Sequence, residues 1–132
     1  FEVSAADLFN AWTDEGKLKE LFGLTDVRID ARSGGTFRLA TDSVAGSPGL
    51  HVESGEYLSF VPGELLVMSW RYEGPLESNP AETQLTFQFR QRDEGITELI
   101  VREEGTGLNT IDRRNTSRYK WTMALAEMES LL

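Results

Sequence analysis

The spacing of apolar residues changes period twice along this chain, and that change limits the fold more than any single motif does. Up to Gly23 the spacing is helical: Leu8, Ala11 and Trp12 share one face of a segment beginning near Ala5, and Leu18, Leu21 and Phe22 recur on a second short segment. From Thr25 the period becomes two. Val27 and Ile29 alternate with Arg28 and Asp30, Phe37 and Leu39 flank Arg38, and Leu85, Phe87 and Phe89 alternate with Thr86, Gln88 and Arg90. Near the C-terminus it turns helical again. Trp121, Leu125, Met128 and Leu132 form a stripe long enough to lie across a sheet.

Local signals punctuate these segments. Ser4 with Asp7 is suited to cap the first helix, Thr13 or Asp14 the second, and Gly23 to end it. Gly34-Gly35 and Pro62-Gly63 are turn signals, and Asp93-Glu94-Gly95 is a third. Strand patterns cover residues 50–61, 64–72, 83–90 and 97–102, the last with Leu99 and Val101 facing inward and Ile100 breaking the alternation. Residues 42–49, rich in Ser, Gly and Pro, read as a loop, and residues 74–81 as a connection. Asn109 or Thr110 starts the last helix. The predicted order is a strand end at residues 1–3, two short helices, about six antiparallel strands and one long helix, an α+β arrangement.

Composition then excludes whole classes of function. At 132 residues the chain is expected to form one domain, 1–132. Twenty-two acids against thirteen bases give a net charge of −9, which repels nucleic-acid phosphate and anionic membrane surfaces. No apolar run approaches the roughly 20 residues of a spanning helix, so membrane insertion is not expected. The absence of cysteine removes disulfides, thiolate nucleophiles and thiolate metal sites, and fits a cytoplasmic location. The chain starts at Phe1 without an initiator Met, which leaves room for a signal peptide or part of a first strand ahead of it.

Polar residues suited to chemistry are few. His51 is the only histidine, too little for a histidine metal site or a relay. The adjacent pairs Glu103-Glu104 and Asp93-Glu94 point to opposite faces or into solvent, so no metal site is expected. Gly34-Gly35 lacks the following helix N-terminus of a phosphate cradle. Arg113, Arg114, Arg118 and Lys120 form one basic cluster, read as a solvated helix face. The aromatic set is more informative. In a helix-grip architecture, which the resemblance below implies, Phe37, Trp70, Phe87, Phe89 and Trp121 are expected to face one interior with Leu39, Met68, Leu125 and Met128. Such walls are the same in sequence whether they enclose a solid core or a hollow. Tyr57, Tyr72 and His51 are the polar groups able to orient a ligand there.

Ala11-Trp12-Thr13-Asp14, Arg32-x-Gly34-Gly35-x-Phe37, Gly55-Glu56-Tyr57, Pro62-Gly63-Glu64-Leu65-Leu66 leading to Ser69-Trp70, and Leu85-Thr86-Phe87-x-Phe89 occur in that order. Together they resemble the activator of heat-shock-protein ATPase homologue family, within the START-like (Bet v 1-like, SRPBCC) superfamily. The resemblance implies a helix-grip fold, in which a curved antiparallel sheet wraps a long C-terminal helix and two short helices plug one end of a cavity. Members often have a longer first strand than residues 1–3, and a Gly where this chain has Lys120. Co-chaperone activity attaches to eukaryotic members with an extra domain, and most small members have no established ligand. Homologues of this type often pair, so a homodimer is an allowed state.

The leading expectation is a non-enzymatic domain without cofactor that binds a hydrophobic small molecule between sheet and last helix. The second is a cyclase- or hydrolase-like enzyme using His51 or a tyrosine as proton donor. The third is a co-chaperone-type interaction module working through its surface.

Overall fold

The computed structural model describes residues 1–44, 47–74, 81–105 and 111–132. Helix α1 (Ala5–Trp12) begins where the Ser4 hydroxyl accepts the Asp7 N–H at 3.2 Å. Helix α2 (Glu15–Phe22) is capped by Asp14, whose carboxylate accepts the N–H groups of Gly16 and Lys17. It stops at Gly23, whose φ of 61° is the left-handed conformation that favours glycine. Both helix starts follow the sequence expectation, with Asp14 and not Thr13 as the second cap.

Six strands follow: β1 (Asp26–Ile29), β2 (Thr36–Val44), β3 (Ser47–Val61), β4 (Leu65–Glu73), β5 (Ala81–Asp93) and β6 (Ile96–Glu104). They form one sheet in chain order, every neighbouring pair antiparallel. The turns predicted at Gly34-Gly35, Pro62-Gly63 and Asp93-Glu94-Gly95 join the expected hairpins. Residues 42–49 are a correction, because β2 runs on to Val44 and β3 starts at Ser47, with Ser43 opposite Pro48. Only residues 45–46 of that stretch lie outside the described residues. Among the described residues, pairing of β3 with β4 begins at Val52, and Pro48 is paired with β2 alone, an edge position where a proline is tolerated. Most of the predicted connection, residues 75–80, and the expected helix start at Asn109 or Thr110 lie outside the described residues.

The β3–β4 ladder opens at Gly55 and Glu56, and two side-chain features mend it. The Ser69 hydroxyl accepts the Glu56 N–H at 2.9 Å. A Cβ on Gly55 would lie 1.7 Å from the Ser69 carbonyl oxygen, and the Phe37 ring covers the glycine from β2. The close approach of β3 and β4 here therefore requires that residue 55 lack a side chain.

Period two sorts the sheet into faces. Phe37 and Leu39 of β2, Leu66, Met68 and Trp70 of β4, and Leu85, Phe87 and Phe89 of β5 are buried on the inner face. Leu99 and Val101 of β6 pack against them, as expected. Helix α3 (Ile111–Leu131) lies across this face with Trp121, Ala124 and Met128 buried. The predicted stripe is corrected at its end: Leu132 is 44% exposed, and Leu131 packs on the core instead. The fold is the helix-grip arrangement implied by the resemblance. Among the described residues no helix is long and apolar enough to cross a membrane.

Candidate functional site

Trp121 is the centre of the interior. Its ring meets Trp70 and Phe87 at 5.5 Å, Trp12 at 6.4 Å and Phe22 at 6.5 Å, so α3 is held by rings from α1, α2 and two strands. Most of these contacts are edge-to-face, the arrangement that the aromatic quadrupole favours. Trp121 Nε1 also donates to Glu103 Oε1 at 3.3 Å, and the Thr83 hydroxyl donates to Glu103 Oε2 at 2.5 Å. Glu103 was expected in solvent or on the opposite face from its neighbour; it is half-buried and ties α3 to β5 and β6, while Glu104 is exposed.

Seven of the expected pocket residues converge here. Phe37, Leu39, Tyr57, Met68, Trp70, Phe87 and Trp121 line one interior void, with Trp12, Leu18, Phe22, Ile29 and Leu66 completing its wall. The void measures about 20 Å³. That is room for about one water, against roughly 300 Å³ or more for a drug-sized ligand. The residues missed by sequence reasoning came from the helical corner, β1 and, for Leu66, β4. Trp12, Leu18 and Phe22 do lie on the apolar helix faces that the periodicity identifies. Phe89 packs away from the void against Phe9 at 5.3 Å, Met128 is fully buried in the core, and Leu125 lines a groove between α3 and β6.

Burial changes the chemistry of the polar groups inside. Tyr57 is 2% exposed, and desolvation pushes its hydroxyl up to about 12 from the ordinary 10.0. It is a neutral phenol at physiological pH. The indole N–H of Trp12 is buried without a hydrogen-bond partner among the described residues, a cost of about 1–3 kcal/mol that its ring contacts offset.

His51 and Tyr72 meet elsewhere, at the open end of the sheet. His51 Nδ1 lies 2.6 Å from the Tyr72 hydroxyl, with the rings stacked at 26°. They line a separate pocket of about 360 Å³ with Phe22, Leu24, Leu39, Thr41 and Glu53. Lys120 links residues of this mouth to those of the interior. Its ammonium is ion-paired with Glu53 and lies 5.3 Å from the ring centres of both Trp70 and Trp121. The basic cluster expected on α3 is therefore split: Lys120 folds inward, while Arg114 and Arg118 stay exposed. The side chain of Arg113 lies outside the described residues.

Comparison with known proteins adds a family to this geometry. A family model described as Activator of Hsp90 ATPase homolog 1-like protein matches residues 2–132. The Homo sapiens protein Activator of 90 kDa heat shock protein ATPase homolog 1 is 29% identical over 121 residues, which cover 92% of this chain and 31% of that protein. The chain thus spans less than a third of that relative's length. A crystal structure from Chromobacterium violaceum superposes with a TM-score of 0.78 at 19% identity, covering 100% of this chain and 91% of the other. An HSP90 activator from Plasmodium falciparum gives 0.73 at 22% identity, covering 98% and 89%. At those identities the two structures speak to the fold alone.

Proposed function

The chain belongs to the Activator of Hsp90 ATPase homolog 1-like family, and on that premise we propose that it acts as an interaction module, engaging an ATPase of the Hsp90 kind through its surface. The observation that carries this reading is the interior void of about 20 Å³. With that little space, a guest between sheet and helix must first drive the rings around Trp121 apart. A surface function needs no such opening. Helix α3 offers apolar contact area, since Tyr119 and Met123 are 69% and 45% exposed and four residues apart on one face. This reading carries with it a cytoplasmic location.

The test is ATP turnover by a purified Hsp90-type chaperone with and without the chain. Stimulation, reduced at least fivefold by Tyr119→Ser with Met123→Ser at unchanged melting temperature, is the expected result. A chain that neither binds the chaperone nor changes its turnover defeats the proposal.

A second reading is favoured by the mouth pocket: binding of a hydrophobic small molecule without catalysis. Its apolar wall of Phe22, Leu24 and Leu39 faces the only histidine and a tyrosine, an arrangement suited to orienting a ligand. In this reading Phe37, Tyr57, Met68, Trp70, Phe87 and Trp121 belong to the packed interior beside the pocket. A thermal-shift screen with apolar compounds tests it, and the absence of any response argues against it.

A further inference from the structure

The basic residues of α3 do not share one environment. Lys120 is tied to Glu53, whereas Arg114 and Arg118 are exposed, one helical turn apart, and in no ion pair among the described residues. Arginines of the sheet differ: Arg28, Arg38, Arg71, Arg92 and Arg102 each face a carboxylate. Arg114 and Arg118 border a groove of about 390 Å³ between α3 and β6, which Arg102 lines from the strand side. The other polar groups of this groove are already engaged. Glu103 accepts from Trp121 and Thr83, and the Thr122 hydroxyl donates to the Arg118 carbonyl at 2.7 Å. Val101 and Leu125 supply an apolar lining between them.

Charge and lining together narrow the partner. Three guanidinium groups and one carboxylate line the groove, on a chain whose net charge is −9. Positive charge stays in excess even with Glu104 counted, which lies 3.9 Å from Arg102. A guanidinium presents paired N–H donors that match the two oxygens of a carboxylate. The apolar lining takes an aliphatic side chain, which a phosphate backbone lacks, and the overall charge of the chain repels a long polyanion. We propose, resting on the reading of this chain as an interaction module, that the groove between α3 and β6 receives an acidic segment of the partner ATPase, its carboxylates at Arg114, Arg118 and Arg102 and an aliphatic side chain on Val101 and Leu125. Tyr119 and Met123, each one residue on from a groove residue of α3, extend the contact along the helix.

The experiment measures binding of the chain to a purified Hsp90-type chaperone at about 50 mM and about 300 mM salt. Arg114→Gln with Arg118→Gln weakens binding about tenfold at the lower salt, and this variant is less sensitive to added salt than the unaltered chain. Arg28→Gln with Arg71→Gln removes the same charge from the sheet and changes binding less than about twofold. A peptide alternating leucine and glutamate displaces the chaperone from the unaltered chain; the same peptide with glutamine for glutamate does not. Equal losses in the two double variants, displacement by the glutamine peptide, or stronger displacement by a single-stranded oligonucleotide overturns the groove proposal and leaves the interaction module standing. A chain that fails to bind the chaperone overturns that module instead. The leucine–glutamate peptide titrated directly then decides the groove: binding that Arg114→Gln with Arg118→Gln abolishes supports an acidic-segment site, and its absence overturns it.

Discussion

Trp121 and Lys120 are neighbours in sequence, yet they belong to two regions with opposite physics. Trp121 is 6% exposed and surrounded by rings, in an interior with space for about one water. Lys120 keeps 37% of its side chain in solvent and pairs with Glu53, which lines a pocket of about 360 Å³ that mixes apolar walls with hydrogen-bonding groups. One region is closed by packing; the other is open to solvent.

The sharpest way to break this contrast is Trp121→Ala. Removing a ring held by four others should cost about 4 kcal/mol and leave a cavity where there was almost none. Urea unfolding measures the loss, and added indole should recover part of it by refilling the space. A loss below about 1 kcal/mol would mean that the interior is not packed as described.

Next in size is the alkaline behaviour of Tyr57, which sharpens the dryness of the interior. Its hydroxyl titrates at about 12 in the folded chain and near 10.0 when exposed. The unfolded chain therefore releases this proton first. The stabilising contribution is complete below pH 10 and is lost as pH rises through 12, a total of about 3 kcal/mol. Tyr57→Phe lacks that term. Denaturation of both proteins between pH 8 and 12 should show their stabilities converging or crossing in favour of the variant only above pH 10. Parallel curves would show that Tyr57 is hydrated in the folded state.

What the sequence disclosed follows the same division. Periodicity and caps were enough for the hairpins and the helical corner, and the family resemblance supplied the inward set Phe37, Met68, Trp70, Phe87 and Trp121. The volume between those side chains was not legible, because a solid core and a lined hollow use the same residues. Residues 42–49 misled in the other direction. Their composition says loop, while a neighbouring strand supplies the ladder that composition cannot reveal. Glu103 and Lys120 were misplaced for a third reason. Each looks solvated in sequence, and each is drawn inward by a partner from a distant segment, Thr83 and Trp121 for one and Glu53 for the other. Leu132 shows the reverse, a periodic position that falls one residue past the end of α3.

The smallest effect separates the two regions most finely. Lys120→Met keeps the aliphatic stem against Trp70 and Trp121 but leaves the half-buried Glu53 carboxylate without this partner. The pair is partly exposed, so solvent already screens it, and a loss of about 1 kcal/mol is expected. Adding Glu53→Gln to Lys120→Met should return most of that loss, because the penalty lies in the stranded charge and not in the missing attraction. Equilibrium unfolding of the two single variants and the double variant isolates this coupling. If Lys120 also separates mouth from interior, Trp70 and Trp121 in Lys120→Met become more accessible to a fluorescence quencher, although the ring cluster keeps its stability to within that 1 kcal/mol. Unchanged quenching together with an additive double variant would mean that Lys120 is an ordinary surface lysine and that the boundary between the two regions is drawn by the rings alone.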